Sequence, residues 1–218
     1  MKRSILVLFM LASAVCAFAQ KQYQYVIDRN LPYRTGGDEY VNEMCNVDVA
    51  YVQGLTDRPV IVWFHGGAMR SGSKEIPQAL MTRGYIVVGL DKSYLAEYGI
   101  DADRIAALVP YSGQVVTHYT ERGDHGISPL IPIIDNLAPL YHMRPDCPPM
   151  LVISGDREME LYGRYEETAY FVRMMKLHGH KDITFYELDG FEHGDMVAPG
   201  HLVFLKYLRS REGQNQSR

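Results

Sequence analysis

Residues 59–68 read PVIVWFHGGA, and no other stretch limits the fold as strongly. Val60, Ile61, Val62, Trp63 and Phe64 form an unbroken apolar run of β-branched and aromatic residues. Such a run, without polar alternation, fits a strand covered on both faces, as in a parallel sheet. It stops at His65-Gly66-Gly67-Ala68. Glycines at a strand end let the backbone turn sharply and leave N–H groups free to face a ligand. A Gly-Gly pair alone would mark only a turn. The histidine before it makes the pattern more specific.

Residues 1–19 read as a signal peptide. Lys2 and Arg3 make a short positive end, an apolar stretch follows, and Ala17-Phe18-Ala19 is a small-residue cleavage site before Gln20. The apolar stretch is too short to span a membrane comfortably, and no later stretch is long and apolar enough. We therefore expect an exported protein, periplasmic or extracellular, with residues 20–218 forming one domain. Removing Lys2 and Arg3 takes the formal net charge from −4 to −6. With no basic block or stripe, nucleic acid is not an expected partner. Of the cysteines, Cys45 and Cys147 remain after cleavage. Export permits a bridge between them, but their spacing matches no disulfide framework and favours free thiols.

The chain then alternates strands and helices. Residues 20–37 read as an irregular lead-in and 44–52 as an edge strand. A helix is expected within 71–84, closed by Gly84, before a buried strand at 85–88. Leu90 to Arg104 reads as a short helix and a polar turn, followed by a third buried strand at 105–110. Residues 114–146 carry Pro129, Pro132 and Pro139 without clean periodicity and read as a lid or cap. A fourth buried strand at 149–153 leads to Ser154-Gly155-Asp156. An amphipathic helix at 165–178, a fifth strand at 183–188 and a helix at 201–209 follow, with a disordered polar tail from 211. The fold class is α/β, a mostly parallel sheet flanked by helices.

Two chemical groups then fall at strand ends. Asp156 follows one strand and His193 the next, 37 residues apart, about one βαβ unit. Parallel neighbours bring both to one sheet edge, where open α/β folds bind ligands. Asp156 can fix the imidazole tautomer, and His193 can act as general base and acid. Taken singly, Asp156 fits a loop cap equally well. No H-E-x-x-H occurs, His178-Gly179-His180 merely ends a helix, and neither a metal nor another cofactor is expected.

The order of these groups resembles that of the α/β-hydrolases. Val62-Trp63-Phe64-His65-Gly66-Gly67, residues 91–110, Ser154-Gly155-Asp156-Arg157-Glu158 and Phe191-Glu192-His193-Gly194 resemble exported bacterial carboxylesterases of the feruloyl- and acetylxylan-esterase-like kind. The likeness covers nearly the whole mature chain. It implies a serine esterase with Asp156 as acid and His193 as base. Gly67 and Ala68 would donate to the oxyanion, with Gly66 shaping the turn and His65 pinning the loop. Its substrate would be a small-molecule or carbohydrate-linked ester.

The chain departs from that family at the nucleophile. No serine lies in G-x-S-x-G, and the segment that follows the nucleophile helix in the family is here joined directly to Gly89. The nucleophile strand and helix are thus missing, more than about 30 residues, or a βαβ unit. Ser112, which ends a buried strand before Gly113, is a weak substitute because it lacks the elbow. Ser93 reads as a helix cap. Three readings follow: an ester hydrolase that is impaired or inactive, a non-catalytic binding protein with the family pocket, or a non-functional deletion product. Strands 60–64 and 105–110 are expected to pair directly across the gap, with Asp156 in hydrogen-bond reach of His193 and apolar sheet surface exposed.

Overall fold

A computed structural model describes residues 22–34, 36–67, 71–90 and 105–215. The expectations for the signal peptide, for Ala68 and for residues 91–104, including Ser93, lie outside the described residues. The strands are β1 (Val26–Pro32), β2 (Asn46–Tyr51), β3 (Val60–Phe64), β4 (Ile86–Leu90), β5 (Met150–Gly155) and β6 (Ile183–Leu188). The helices are α1 (Glu39–Met44), α2 (Tyr119–Asp124), α3 (Arg164–Leu177) and α4 (Val197–Asn215).

One sheet has the order β1-β2-β4-β3. β2 runs antiparallel to β1 and β4, and β3 runs parallel to β4 with Val60 opposite Ile86 and Phe64 opposite Leu90. β5 and β6 form a second, parallel pair. Residues 105–111 lie along the other side of β5, bridged at Leu108–Met150 and Tyr111–Ile153. The amides of Leu151 and Ile153 donate to the carbonyls of Leu108 and Pro110, each at 3.0 Å.

Direct pairing across the gap is not what the structure shows. The ladder of β3 is to β4, and the backbone hydrogen bonds of residues 108–112 go to the β5 side. Pro110 has no N–H, so this stretch forms bridges rather than the continuous strand expected. Side chains meet instead: the Trp63 and Tyr111 rings pack edge to face, with centroids 5.3 Å apart. The expected exposure of apolar sheet is present: Val60, Val62 and Phe64 are 57%, 44% and 48% exposed.

A shared core joins the two sheets. Ala50, Ile61 and Val87 from the first meet Leu151 and Ile153 from β5, together with Tyr85 and with Met196 and Phe204. Alternation along β5 sends Met150 and Val152 to the opposite face, where they pack on Phe171, Val172 and Met175 of α3. Val115, Val116 and Leu140 are buried in that second cluster. Within the stretch 114–146, read as a lid or cap, these three residues are core packing over β5.

Other local expectations also change. The lead-in contains β1, whose ladder with β2 shifts register between Asp28 and Leu31. Asp48 stabilises the irregularity by accepting from the Asn30 amide at 2.9 Å and from Arg29 at 2.8 Å. The helix expected within 71–84 shrinks to a 3₁₀ turn, Gln78–Leu80. Pro77 explains this, because its ring and missing N–H obstruct a helix running through it. α4 begins earlier and ends later than the sequence suggests, reaching Asn215 in the supposed tail. Cys45 and Cys147 are free thiols.

Gly200 of α4 allows the closest approach of that helix to the Tyr111 ring. A Cβ there would lie 2.6 Å from Tyr111 Cε1. Gly200→Ala is expected to destabilise by about 1–3 kcal/mol despite alanine's better helix propensity. Urea unfolding measures it, and an unchanged midpoint would contradict this packing.

Candidate active site

The site begins at the carboxyl end of β5. Asp156 caps the turn that follows: its carbonyl accepts from Met159 and Glu160 amides at 3.0 and 2.9 Å. Its side chain accepts from Glu158 N at 2.9 Å and from Gly190 N at 2.7 Å. These two backbone donors, Gly190 foremost, hold the Asp156 carboxyl below its ordinary range. The carboxylate thus staples the β5 loop to the loop after β6. The expected hydrogen bond to His193 is not made; the loop-cap reading of Asp156 describes its geometry.

The same turn swings Glu160 back beneath the strand end. Glu160 Oε1 accepts from Gly155 N at 2.9 Å, and Oε2 lies 3.0 Å from His193 Nδ1. Its side chain is 1% exposed, against 40% for His193. Burial alone would raise the Glu160 carboxyl. Hydrogen bonds from His193, Ser112 and the amides of Gly155 and Leu161 outweigh burial and hold it at about 2. Glycine is required at 155, where a Cβ would lie 2.6 Å from the Phe191 carbonyl oxygen. Glu160 is therefore the acid that orients His193. Sequence reasoning stopped at the first carboxylate after the strand. The spacing offers a signal: Glu160 stands four residues after Asp156, and in one helical turn residues i and i+4 are neighbours.

Ser112 joins this pair. Its Oγ is 3.0 Å from His193 Nδ1, the nitrogen that also faces Glu160. The residue is 3% exposed and has φ 45°, an uncommon conformation for a non-glycine residue. Its amide donates to Ile153 O at 2.7 Å, and its carbonyl accepts from Arg164 Nη1. Arg164, itself buried, forms an ion pair with Glu167 at 3.0 Å.

Trp63 packs on Tyr111, the residue before Ser112, so the turn after β3 shares this edge of the molecule. Gly66 and Gly67 follow that strand. Gly67 has φ 129°, and its carbonyl accepts from Ser71 N and Oγ at 2.9 and 3.0 Å. Ala68, the last member of the expected oxyanion loop, lies outside the described residues. An open cleft of about 410 Å³ is lined by Glu75, Pro77, Asp195 and His201 among others, and by Gly194, the residue after His193. Burial lowers His201, with Glu75 opposing, and its Nδ1 lies 3.2 Å from the Tyr111 hydroxyl.

Neither a protein-family model nor a curated protein matches the sequence. Solved structures do. A truncated carbohydrate esterase from gut microbiota superposes with TM-score 0.55 at 13% identity, covering 79% of this chain and 90% of its own. A Pyrobaculum calidifontis esterase gives TM-score 0.51 at 13% identity, covering 90% of this chain and 88% of its own. A bifunctional GH43-CE protein of Bacteroides eggerthii gives 0.56 at 13% identity, covering 84% of this chain and 38% of its own. The fold is that of the α/β-hydrolases. In this α/β-hydrolase fold the break between β3 and residues 105–111 lies where the resemblance implies the nucleophile strand. The Glu160–His193 pair lies on the unbroken side of it.

Proposed function

We propose that this chain is an exported, esterase-type α/β-hydrolase that retains an acid–base pair and has lost the nucleophile. The observation that carries the reading is the crowding of Glu160 and Ser112 on one nitrogen of His193. In a serine relay the hydroxyl and the acid engage opposite ring nitrogens. Ser112 is on the acid's side and buried, so it is not aimed at a substrate carbonyl. His193, oriented by Glu160, is left as a general base for water. Its Nε2 takes a proton as the water oxygen adds to the acyl carbon. The resulting tetrahedral oxyanion collapses, the imidazolium returns the proton to the leaving alcohol, and a carboxylic acid and an alcohol result. The esterase neighbours and the His-Gly-Gly turn support an ester substrate, small or linked to carbohydrate. The pattern of residues 1–19 supports export.

Such a site gives residual turnover. Proteases stripped of triad members keep about 10³–10⁴-fold over water from binding and oxyanion stabilisation. We expect slow hydrolysis of a short-chain nitrophenyl ester by the full chain, abolished by His193→Ala, with no covalent adduct from a serine-reactive phosphonate. Ordinary turnover with a stoichiometric adduct would overturn the reading. Turnover unaffected by His193→Ala would remove the proposed base.

A further inference from the structure

Ser112 is held too firmly to be an incidental neighbour. Its amide is bound to Ile153 O at 2.7 Å, its carbonyl to the buried Arg164, and its backbone sits at φ 45°. Strained conformations of this kind persist only where the surroundings enforce them, and they cluster at functional positions. The restraints deliver one hydroxyl, 97% shielded with the rest of the residue, to a point 3.0 Å from His193 Nδ1. Glu160 Oε2 lies 3.0 Å from the same nitrogen. An ionised carboxylate accepts only, so Nδ1 donates to it and carries the proton. The Ser112 oxygen then presents lone pairs to Nδ1, as does Glu160 Oε2. Two acceptors at Nδ1 favour a proton on that nitrogen and leave Nε2 with its lone pair.

We propose that Ser112 is a positioning residue that, with Glu160, locks the imidazole proton of His193 on Nδ1 and so leaves Nε2 as the basic atom. This rests on the general-base reading above and deepens it. Ser112 acts through His193 and touches no substrate. Arg164 serves the same end one step further out by fixing the Ser112 carbonyl.

The test is ¹⁵N NMR of the full chain labelled at histidine, read at alkaline pH with no ester present. The chemical shifts of the two ring nitrogens report which carries the proton. The wild type is expected to show His193 as the Nδ1–H tautomer. Ser112→Gly removes the hydroxyl and suits the positive φ, so the turn is retained. That variant is expected to shift His193 toward a mixture of tautomers, and Ser112→Thr, which restores a hydroxyl, to shift it back. An unchanged tautomer in Ser112→Gly would overturn the proposal, as would a phosphonate adduct mapped to Ser112 in the wild type. Because no ester is used, the tautomer shift stands even if hydrolysis proves absent, in which case only the hydrolase reading fails.

Discussion

Replacing Arg164 with methionine is expected to destabilise the fold by about 3–5 kcal/mol, the usual cost of removing one partner from a buried ion pair. The Arg164 and Glu167 side chains are 6% and 12% exposed, and their charged groups are 3.0 Å apart. Burial already raises the Glu167 carboxyl, and Arg164 is the first of the groups opposing that rise. Without Arg164 the folded-state pKa of Glu167 climbs further above its unfolded value. A raised carboxyl means that the native state binds the extra proton, so stability falls as pH increases through the folded pKa. The penalty therefore grows as pH rises toward the folded value and shrinks as pH drops toward the ordinary glutamate value of 4.5. Urea unfolding at both ends of that range measures it. Arg164→Met combined with Glu167→Leu should recover most of the loss, because the unpaired charge goes with the glutamate. A single variant within about 1 kcal/mol of wild type would contradict this account.

Glu160→Gln should have the second largest effect, with the opposite pH dependence. The Glu160 carboxyl lies at about 2 in the folded protein, against an ordinary 4.5. A depressed carboxyl contributes stability above its unfolded pKa and loses it as pH falls through the folded value. The difference corresponds to roughly 3 kcal/mol, present at neutral pH and lost between about 4.5 and about 2. Wild type should lose that stability on acidification across this window, whereas Glu160→Gln should begin lower and change less. Chemical denaturation at successive pH values distinguishes the two curves. Parallel curves would mean that the carboxylate is not held by the bonds described.

Much of the fold was legible because strong local signals agreed with the global arrangement. The run 60–64 became β3, and residues 183–188 matched β6 at both ends. Gly179 marked the end of α3, which closes at Leu177. The misses share a different cause. Pro77 overrode an apparent helical face, and Val115 and Val116 entered the core from a stretch without periodicity. Such placement depends on what lies opposite in space, which local pattern does not encode. The site shows the same division. His193 is singled out by sequence because it follows the strand after the one that leads to Asp156. Its partner was missed because three carboxylates, Asp156, Glu158 and Glu160, crowd one turn, and only the backbone bonds of that turn choose among them. Ser112 was singled out by its place at a strand end, but which ring nitrogen it meets follows from three-dimensional geometry alone.

The attachment of α4 carries a consequence for the order of events during synthesis. Glu212 near the end of that helix accepts from the Tyr85 hydroxyl at 2.8 Å and pairs with Arg83 at 2.9 Å, across 127 and 129 residues. Met196 and Phe204 fill the core that the two sheets share. α4 leaves the ribosome after every strand that it fastens. Contacts of such long sequence separation slow folding, because chain closure must precede their reward. Until α4 arrives, the nascent chain carries the uncharged edge of β3 beside an unfilled core, the kind of surface that chaperones cover. The yield of soluble protein should therefore depend on how long those residues wait.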